Sequence, residues 1–427
     1  MADQNAYSVL SIHKGVSEQE IKQSYIELVK KYDPENHQAR FMLIQAAYET
    51  LRDPLRRAKE DLFTYNYIKG KFLFNDDEKG GELSETEIWQ ELKKVKDMLA
   101  ENPDNEEAKK SRILYHMIQS HINVNKKLWA EAIKNWNDIL SIDPTHTRAK
   151  NNLIYSFITL GYSYAIHGLL KEAIDLWEKA LKMDPDNWQL IHNLAIANEL
   201  GGNKDDSKRY WGETLRVWKR ELDKNTEDKY LKSLIIEVHK HFGGQALDSK
   251  VDNVTAIREY KEILKINPDD FDAQFQICST MMEEQNWDNA ISELTKLQKK
   301  HPQNLEVLNL LGWALLNNGQ VDLAFNTWKK ALSIDNKNKS ALENIMRAHQ
   351  QIGQRLRESG LLTNALVHFK SLLKYNPQNW EAHYEVARTY ELKGDVKSAF
   401  AEYNIVLQLN PKSKEAKKAL SDLKMRH

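Results

Sequence analysis

The feature that most constrains the fold is a ladder of prolines at regular spacing. Each proline follows an amphipathic run and ends it, because proline cannot continue a helix. Some steps of the ladder are 34 residues long and others are 41. A period of this length is typical of repeat architectures in which each unit is one helix pair. The rungs are Pro144, Pro185, Pro268, Pro302, Pro377 and Pro411, and Asn336 takes the place of proline once.

A small residue and a large apolar residue recur at fixed distances before each rung. The two positions are one helical turn apart, so they share a face of the helix. Alanine lets a neighbouring helix approach closely, while the large side chain fills the space beside it. Twelve residues before the rungs lie Ala132, Ala173, Ala256, Ala290, Ala324, Ala365 and Ala399. Eight residues before them lie Trp136, Trp177, Tyr260, Leu294, Trp328, Phe369 and Tyr403.

These residues resemble the tetratricopeptide repeat family, whose unit of about 34 residues is an antiparallel helix pair. The longer steps keep the apolar face, because seven extra residues are close to two helical turns. Between Pro185 and Pro268 the pattern weakens, and Ser207 and Trp211 occupy the small and the aromatic positions. We expect two further helix pairs there. The resemblance covers about residues 84–427 and implies an α-solenoid that ends in a polar capping helix.

The N-terminal residues do not follow this repeat pattern. Ser17 and Glu20 form a capping-box pattern before an amphipathic run that ends at Lys30 and Lys31. After a polar turn, a second amphipathic run extends through Leu51. The pattern predicts two antiparallel helices joined by a short turn.

This segment resembles a J domain, the module by which DnaJ co-chaperones engage DnaK-type ATPases. The matching stretches are Tyr7–Leu10, Ser17–Tyr25, Ala46–Leu51 and Arg52–Arg57. The family's His-Pro-Asp signature falls on Asp33, Pro34 and Glu35, and its basic pair falls on Ile26 and Glu27. Positive charge is therefore lost where the chaperone binds. The resemblance implies a degenerate chaperone-binding face formed by Lys22, Lys30, Lys31, Asp33, Pro34 and Glu35.

The sequence thus predicts an all-α protein, a small J-like helical domain followed by an α-solenoid of tetratricopeptide helix pairs. The predicted divisions are a J-like domain over 1–70, a linker over 71–83, a first array over 84–243 and a second array over 244–427. Turn-forming residues from His241 to Asn253 mark a hinge between the arrays. For the aromatic run Phe63, Tyr65, Tyr67, Phe72 and Phe74, packing onto the J-like helices is favoured over a patch for a partner.

Composition argues against several classes of function. Lys and Arg number 61 and Asp and Glu number 62, so we expect no nucleic acid partner. The single cysteine, Cys278, favours the cytoplasm and gives no disulfide framework. Residues 151–170 lack Asp, Glu, Lys and Arg, but polar residues dilute their apolarity, so membrane insertion is not expected. No motif predicts catalysis, a metal site or a cofactor, and we expect no enzyme.

The candidate binding residues lie on the first helix of each pair. Asn152, Asn193 and Asn344 each follow a rung by eight residues and are predicted to face the concave side, where an amide can hold an extended peptide by its backbone. The alternative is that asparagine is simply common at this position. Arg347 and Arg388 follow their rungs by eleven residues and could recognise acidic peptides. Two hypotheses follow. In the first, the chain is a co-chaperone-like adaptor that binds proteins or extended peptides and brings them to a DnaK-type chaperone. In the second, it is an assembly scaffold whose J-like domain no longer engages that chaperone.

Overall fold

The computed structural model describes residues 5–79, 83–248 and 252–426, and every regular element in these ranges is a helix. The chain forms two compact units, Met1–His239 and Lys240–His427. The boundary between the units follows His239, whereas the sequence predicted a division after residue 243. It lies inside a helix that continues to Asp248. Gly243 lets this helix pack closely against the next one, because an added Cβ would lie 3.0 Å from the ring of Tyr260. Residues 249–251 of the predicted hinge lie outside the described residues.

The J-like domain consists of four helices around a small core. They are α1 (Ala6–Val9), α2 (Glu18–Lys31), α3 (Gln38–Arg52) and α4 (Pro54–Asp61). The predicted capping box of Ser17 and Glu20 starts α2, and Asp53 caps α4. Leu10, Ile21 and Ile44 are buried between the helices. The antiparallel pair predicted from the sequence is therefore confirmed as α2 and α3.

The first unit continues with the first array. Residues 63–79, called the strap below, contain no strand and no helix except a 3-10 turn at Asp77–Lys79. Ser84 and Glu87 form a capping box at the start of the next helix. The helices that follow are α5 (Glu85–Glu101), α6 (Glu106–Asn125), α7 (Trp129–Ile142), α8 (Thr147–Ile166), α9 (Leu170–Met183), α10 (Trp188–Leu200), α11 (Lys204–Lys224) and α12 (Lys229–Asp248).

The second unit is built from further helix pairs and the predicted C-terminal capping helix. Its capping helix buries Ala416, Leu420 and Leu423 against the preceding helix. The helices are α13 (Asn253–Ile266), α14 (Phe271–Glu283), α15 (Trp287–Lys300), α16 (Leu305–Asn317), α17 (Val321–Ile334), α18 (Lys339–Glu358), α19 (Leu362–Tyr375), α20 (Trp380–Lys393), α21 (Val396–Leu409) and α22 (Lys414–Arg426).

The ladder of small and large residues forms the core of both units. All seven ladder alanines are fully buried, and the large residues that follow them are buried as well. Ser207 and Trp211 are each 1% exposed, so the weakened repeat keeps the same packing. The predicted register is therefore confirmed. Within the described residues, no helix combines the length and the apolarity needed to cross a membrane, α8 included.

Candidate functional site

The side chain of Asn152, on α8, holds the backbone of the strap. Its Oδ1 accepts the N–H of Leu73 at 2.7 Å, and its Nδ2 donates to the carbonyl oxygen of Leu73 at 3.0 Å. One amide side chain thus satisfies both backbone groups of one residue, as a neighbouring strand would. Because only backbone atoms are read at this point, the contact is independent of the bound side chain.

Asn193, on α10, repeats this arrangement one helix pair further along. Its Oδ1 accepts the N–H of Asn66 at 2.6 Å, and its Nδ2 donates to the carbonyl oxygen of Asn66 at 2.9 Å. Asn152 and Asn193 are at most 1% exposed. The structure therefore places both residues on a groove whose occupant is the chain's own strap.

Aromatic side chains of the strap contact the tryptophans of the ladder. Three of these pairs have ring centroids 5.4 to 6.1 Å apart, within the range of favourable aromatic contacts. Each ladder tryptophan of the first array from α7 to α11 thus has one strap ring beside it. The pairs are Phe63 with Trp211, Tyr65 with Trp177, and Phe74 with Trp136.

The C-terminal half of the strap is held by further contacts with α7 and α8. Phe72 stacks on Trp129 at 5.7 Å, with the two rings 9° from parallel. Asn151 donates to the carbonyl oxygen of Lys71 at 3.1 Å. The buried carboxylate of Glu78 pairs with the guanidinium of Arg148. Hydrogen bonds from amide side chains to the backbone, aromatic contacts and an ion pair therefore hold the C-terminal half of the strap in place.

A buried polar cluster joins the N-terminal half of the strap to the J-like domain. The ammonium of Lys14 donates to the carbonyl oxygens of Asp61 at 2.7 Å and Thr64 at 2.9 Å. The carboxylate of Asp61, itself fully buried, accepts the hydroxyl of Tyr230 on α12 and lies 3.6 Å from the guanidinium of Arg57. The J-like domain is therefore docked on the first array through charged groups removed from water.

His192, on α10, connects this cluster to the groove. Its Nδ1 lies 2.8 Å from Nδ2 of Asn66 and 3.5 Å from the ammonium of Lys14, and both of those groups are donors. Its Nε2 faces the carbonyl oxygen of Leu62 at 3.3 Å. The ring therefore carries its proton on Nε2 and is neutral. Burial, with the nearby Lys14 cation second, holds the pKa of His192 well below its ordinary value of 6.5.

The third predicted asparagine, Asn344 on α18, has different surroundings. Its Oδ1 accepts the indole N–H of Trp313 at 2.8 Å, and its Nδ2 lies 3.4 Å from Oδ1 of Asn309. The guanidinium of Arg347 lies 5.7 Å from the ring centre of Trp313. Among the described residues, no backbone segment pairs with Asn344 as the strap pairs with Asn152. The structure thus brings Asn344 and Arg347 together around one tryptophan of the second unit.

Arg388, on α20, is exposed and lies 6.0 Å from the ring centre of Tyr384. In this repeat the position equivalent to Asn152 is held by Glu385, whose carboxylate pairs with Arg357. The groove of the second unit is therefore lined by both signs of charge.

The candidate chaperone-binding residues lie on the surface of the J-like domain. Lys22, Lys30 and Lys31 are exposed on α2, and so are Pro34 and Glu35 in the turn that follows. Asp33 is half-buried and caps this turn, because its Oδ1 accepts the N–H groups of Glu35 and Asn36 at 3.0 and 2.9 Å. These hydrogen bonds, led by those from Asn36, lower the pKa of Asp33.

Among the described residues, the lone thiol and the histidines form no ligand set for a metal ion. Burial raises the pKa of Cys278 to about 12, which removes thiolate character at neutral pH. Across residues 5–79, 83–248 and 252–426, no three His, Cys, Asp or Glu side chains are grouped closely enough to hold a metal ion.

Comparison with protein families gives matches at both ends of the chain. The family model of the DnaJ domain matches residues 5–61. Two models of the tetratricopeptide repeat match residues 252–314 and 356–423, and residues 305–338. This chain is a DnaJ-domain protein with tetratricopeptide repeats. The DnaJ domain coincides with α1–α4, and the matched repeats lie within the second unit.

Curated chaperone proteins DnaJ match a short part of this chain. The chaperone protein DnaJ of Thermosipho africanus is 43% identical over 72 residues, which are 15% of this chain and 19% of that protein. The chaperone protein DnaJ of Lactiplantibacillus plantarum is 44% identical over 68 residues, which are 15% of this chain and 18% of that protein. The chain thus spans about a fifth of the length of the curated relatives that it matches.

Among solved structures, a crystal structure of MamA protein resembles part of the chain. It covers 42% of this chain and 93% of its own, with a TM-score of 0.33 and 20% sequence identity. A likeness at this level does not bear on function.

Sequence reasoning did not identify the strap as an occupant of the groove. The aromatic run was expected on the J-like helices, but Phe63, Tyr65, Phe72 and Phe74 contact the array. Tyr67 contacts both parts, because it stacks on His13 at 4.5 Å and lies 5.2 Å from Tyr162. Likewise, residues 71–79 of the predicted linker are packed against α7 and α8. One sequence signal could have indicated a packed, non-helical segment here, although not the surface that it covers. Aromatic residues alternate from Phe63 to Tyr67 without helical spacing and directly precede an array with two groove asparagines.

Proposed function

We propose that this chain is a non-enzymatic protein-interaction adaptor of the co-chaperone type, which binds client proteins in a repeat groove and offers them to a DnaK-type chaperone. The observation that carries the proposal is the pairing of Asn152 and Asn193 with an extended backbone. It supports a peptide-binding groove, because the same pairing serves any extended polypeptide. The single buried cysteine, Cys278, supports a reducing compartment such as the cytoplasm.

In this proposal the client lies in the groove of the second unit. Asn344 occupies the position in its repeat that Asn152 occupies in the first array. A client backbone takes the place of the Trp313 indole on Asn344, and its carboxylates pair with Arg347 and Arg388. Since Glu385 is already neutralised by Arg357, it opposes acidic clients less than an unpaired carboxylate does.

The DnaJ domain offers the second binding surface. Lys22, Lys30 and Lys31 remain exposed on α2 although the domain is docked on the array through α4. The docking therefore leaves the proposed chaperone-binding face accessible.

A second candidate function is an assembly scaffold that no longer activates a DnaK-type chaperone. The observation that favours it is the charge of the α2 face, where Glu27 is exposed and Ile26 is 41% exposed at the positions of the family's basic pair. Asp33 adds negative charge at the position of the signature histidine. Both functions share the repeat groove and differ in what the DnaJ domain does.

The test measures the affinity of the full chain for a client captured by cross-linking. We expect Asn344→Ala with Arg347→Ala to weaken binding about tenfold, because a backbone hydrogen bond and a charge-assisted contact are both lost. Asn289→Ala, an exposed change on α15, is the matched control and should leave the affinity unchanged. An equal affinity of all three chains for the client would contradict the groove assignment.

A further inference from the structure

The two halves of the strap differ in how firmly they are held. In the N-terminal half, Asn66 and Ile68 are at most 9% exposed, and Asn66 bonds to both Asn193 and His192. This half is also continuous with the buried cluster of Lys14 and Asp61. Opening it would leave charged groups without partners, which is costly.

The C-terminal half lies closer to solvent. Phe72, Leu73 and Phe74 are only half-buried, while Lys69, Lys71 and residues 75–77 are exposed. Besides the ion pair of Glu78, its contacts include neutral hydrogen bonds of Asn151 and Asn152 and aromatic contacts of Phe72 and Phe74 with side chains of α6, α7 and α8. Segments with few buried groups open locally at a lower free energy than the surrounding helices. The structure therefore has one firmly held half and one weakly held half.

The weakly held half also defines what this part of the groove accepts. Asn152 reads the backbone of the central residue, Leu73. On either side of it, Phe72 stacks on Trp129 and Phe74 lies 5.8 Å from Trp136. Four residues later, Glu78 meets Arg148. The complementary ligand is an extended peptide with the pattern aromatic, any residue, aromatic, and an acidic residue four positions further on.

We propose that the groove at Asn152 is a second peptide-binding site, which takes extended aromatic-X-aromatic segments followed by a carboxylate, and that residues 69–79 are its resident, exchangeable ligand. This inference rests on the proposed function and extends it to the first array. A partner segment enters when the C-terminal half of the strap leaves, while the N-terminal half stays bound at Asn193. The DnaJ domain therefore remains docked during the exchange.

The resident ligand lowers the apparent affinity for any competitor. When a site is free for only a small fraction of the time, its apparent dissociation constant is the intrinsic constant divided by that fraction. Weakening the strap without altering the groove must therefore raise the affinity for a peptide added in trans. The probe is a fluorescent peptide with the sequence of residues 69–79, added to the full chain.

We expect Phe72→Ala with Phe74→Ala to tighten binding of this peptide about tenfold or more relative to the unmodified chain. Adding Asn152→Ala to that variant should reverse the gain, while adding the exposed control Asn289→Ala should not. Equal peptide affinity for the unmodified and the strap-weakened chain, or a gain that survives Asn152→Ala, overturns the proposal. The client assay at Asn344 is separate, so failure here is distinguishable from failure of the proposed function.

Native-state proteolysis of the unmodified chain provides a test that needs no substitution. Trypsin should cut after Lys71 while the helical circular dichroism is fully retained, because only the C-terminal half of the strap has to open. Cleavage after Lys71 that begins only when the helices unfold would overturn the exchange of residues 69–79.

Discussion

Asn152 and Leu73 are joined by two hydrogen bonds, from the Leu73 N–H to the Asn152 side chain at 2.7 Å and from that side chain to the Leu73 carbonyl at 3.0 Å. The two residues are 79 positions apart in the sequence. Their pairing turns the segment after the DnaJ domain into a ligand of the first repeat array. The same pairing recurs between Asn193 and the backbone of Asn66, so each of the two asparagines binds the backbone N–H and carbonyl of one strap residue.

The groove depends on close packing beneath its tryptophans, which a pair of glycine substitutions tests. An added Cβ at Gly161 would lie 2.6 Å from Nε1 of Trp177, so we expect Gly161→Ala to destabilise the chain by about 1–3 kcal/mol. Gly212 lies on the exposed face of α11, and an added Cβ there would meet no side chain within 4 Å. Gly212→Ala should therefore stabilise by about 0.5–1 kcal/mol. Denaturant unfolding followed by circular dichroism measures both, and shifts of the same sign would contradict this packing.

The neutral His192 makes the first unit sensitive to acid. Its pKa is lowered in the folded chain, so below pH 6.5 the unfolded chain binds a proton that the folded chain does not. Stability is therefore lost as the pH falls below 6.5, by up to about 1.4 kcal/mol per pH unit from this group. Protonation at Nδ1 would also remove the acceptor for Asn66.

The measurement compares unfolding free energies at pH 7 and pH 5 for the unmodified chain and for His192→Gln. We expect a smaller loss in the variant, since its side chain does not titrate. Other histidines with lowered pKa values, such as His349 with a pKa of about 4, contribute equally to both chains. Parallel pH dependence of the two chains would show that His192 is already charged or exposed.

The degenerate signature of the DnaJ domain predicts weak coupling to a chaperone. If the chain is the assembly scaffold, repulsion at Asp33 and Glu27 replaces the attraction of the resembled family, so the full chain should leave the ATPase rate of a cognate DnaK-type chaperone unstimulated. Asp33→His with Glu35→Asp should restore it only in part, because Asp33 also caps the turn through Asn36 and Glu35. Full recovery should need basic residues at 26 and 27 as well.

Single-turnover ATP hydrolysis with the chain in excess gives this readout. Lys300→Ala, which removes a surface ion pair with Asp269 in the second unit, is the control and should leave every rate unchanged. Several-fold stimulation by the unmodified chain would refute the loss of coupling and leave the co-chaperone function as the stronger of the two candidates.

The repeat fold was predictable because its signal is periodic. The burial of Ala290 and Trp328, for example, follows from spacing alone, since each position repeats in every helix pair. The capping boxes at Ser17 and Ser84 were predictable for the same reason, because both partners lie within four residues.

The groove occupant was not predictable, because it depends on contacts between distant residues with no periodic pattern. Asn66 and Asn193 are 127 positions apart, and nothing in the strap's spacing indicates which surface it covers. The buried cluster of Lys14, Asp61 and Tyr230 was missed for a related reason. Charged and phenolic residues are usually solvent-exposed, so the sequence assigns them no place in a core.

Hydrogen exchange of the strap tests the central claim most directly, that the chain's own residues 63–79 occupy the groove through Asn152 and Asn193. In the unmodified full chain, the amides of Asn66 and Leu73 should exchange more slowly than in an unstructured peptide, with Asn66 the slower of the two. Asn152→Ala should release Leu73 while leaving Asn66 and the helices α14–α21 protected. Exchange of both strap amides at unstructured rates in the unmodified chain would contradict the account.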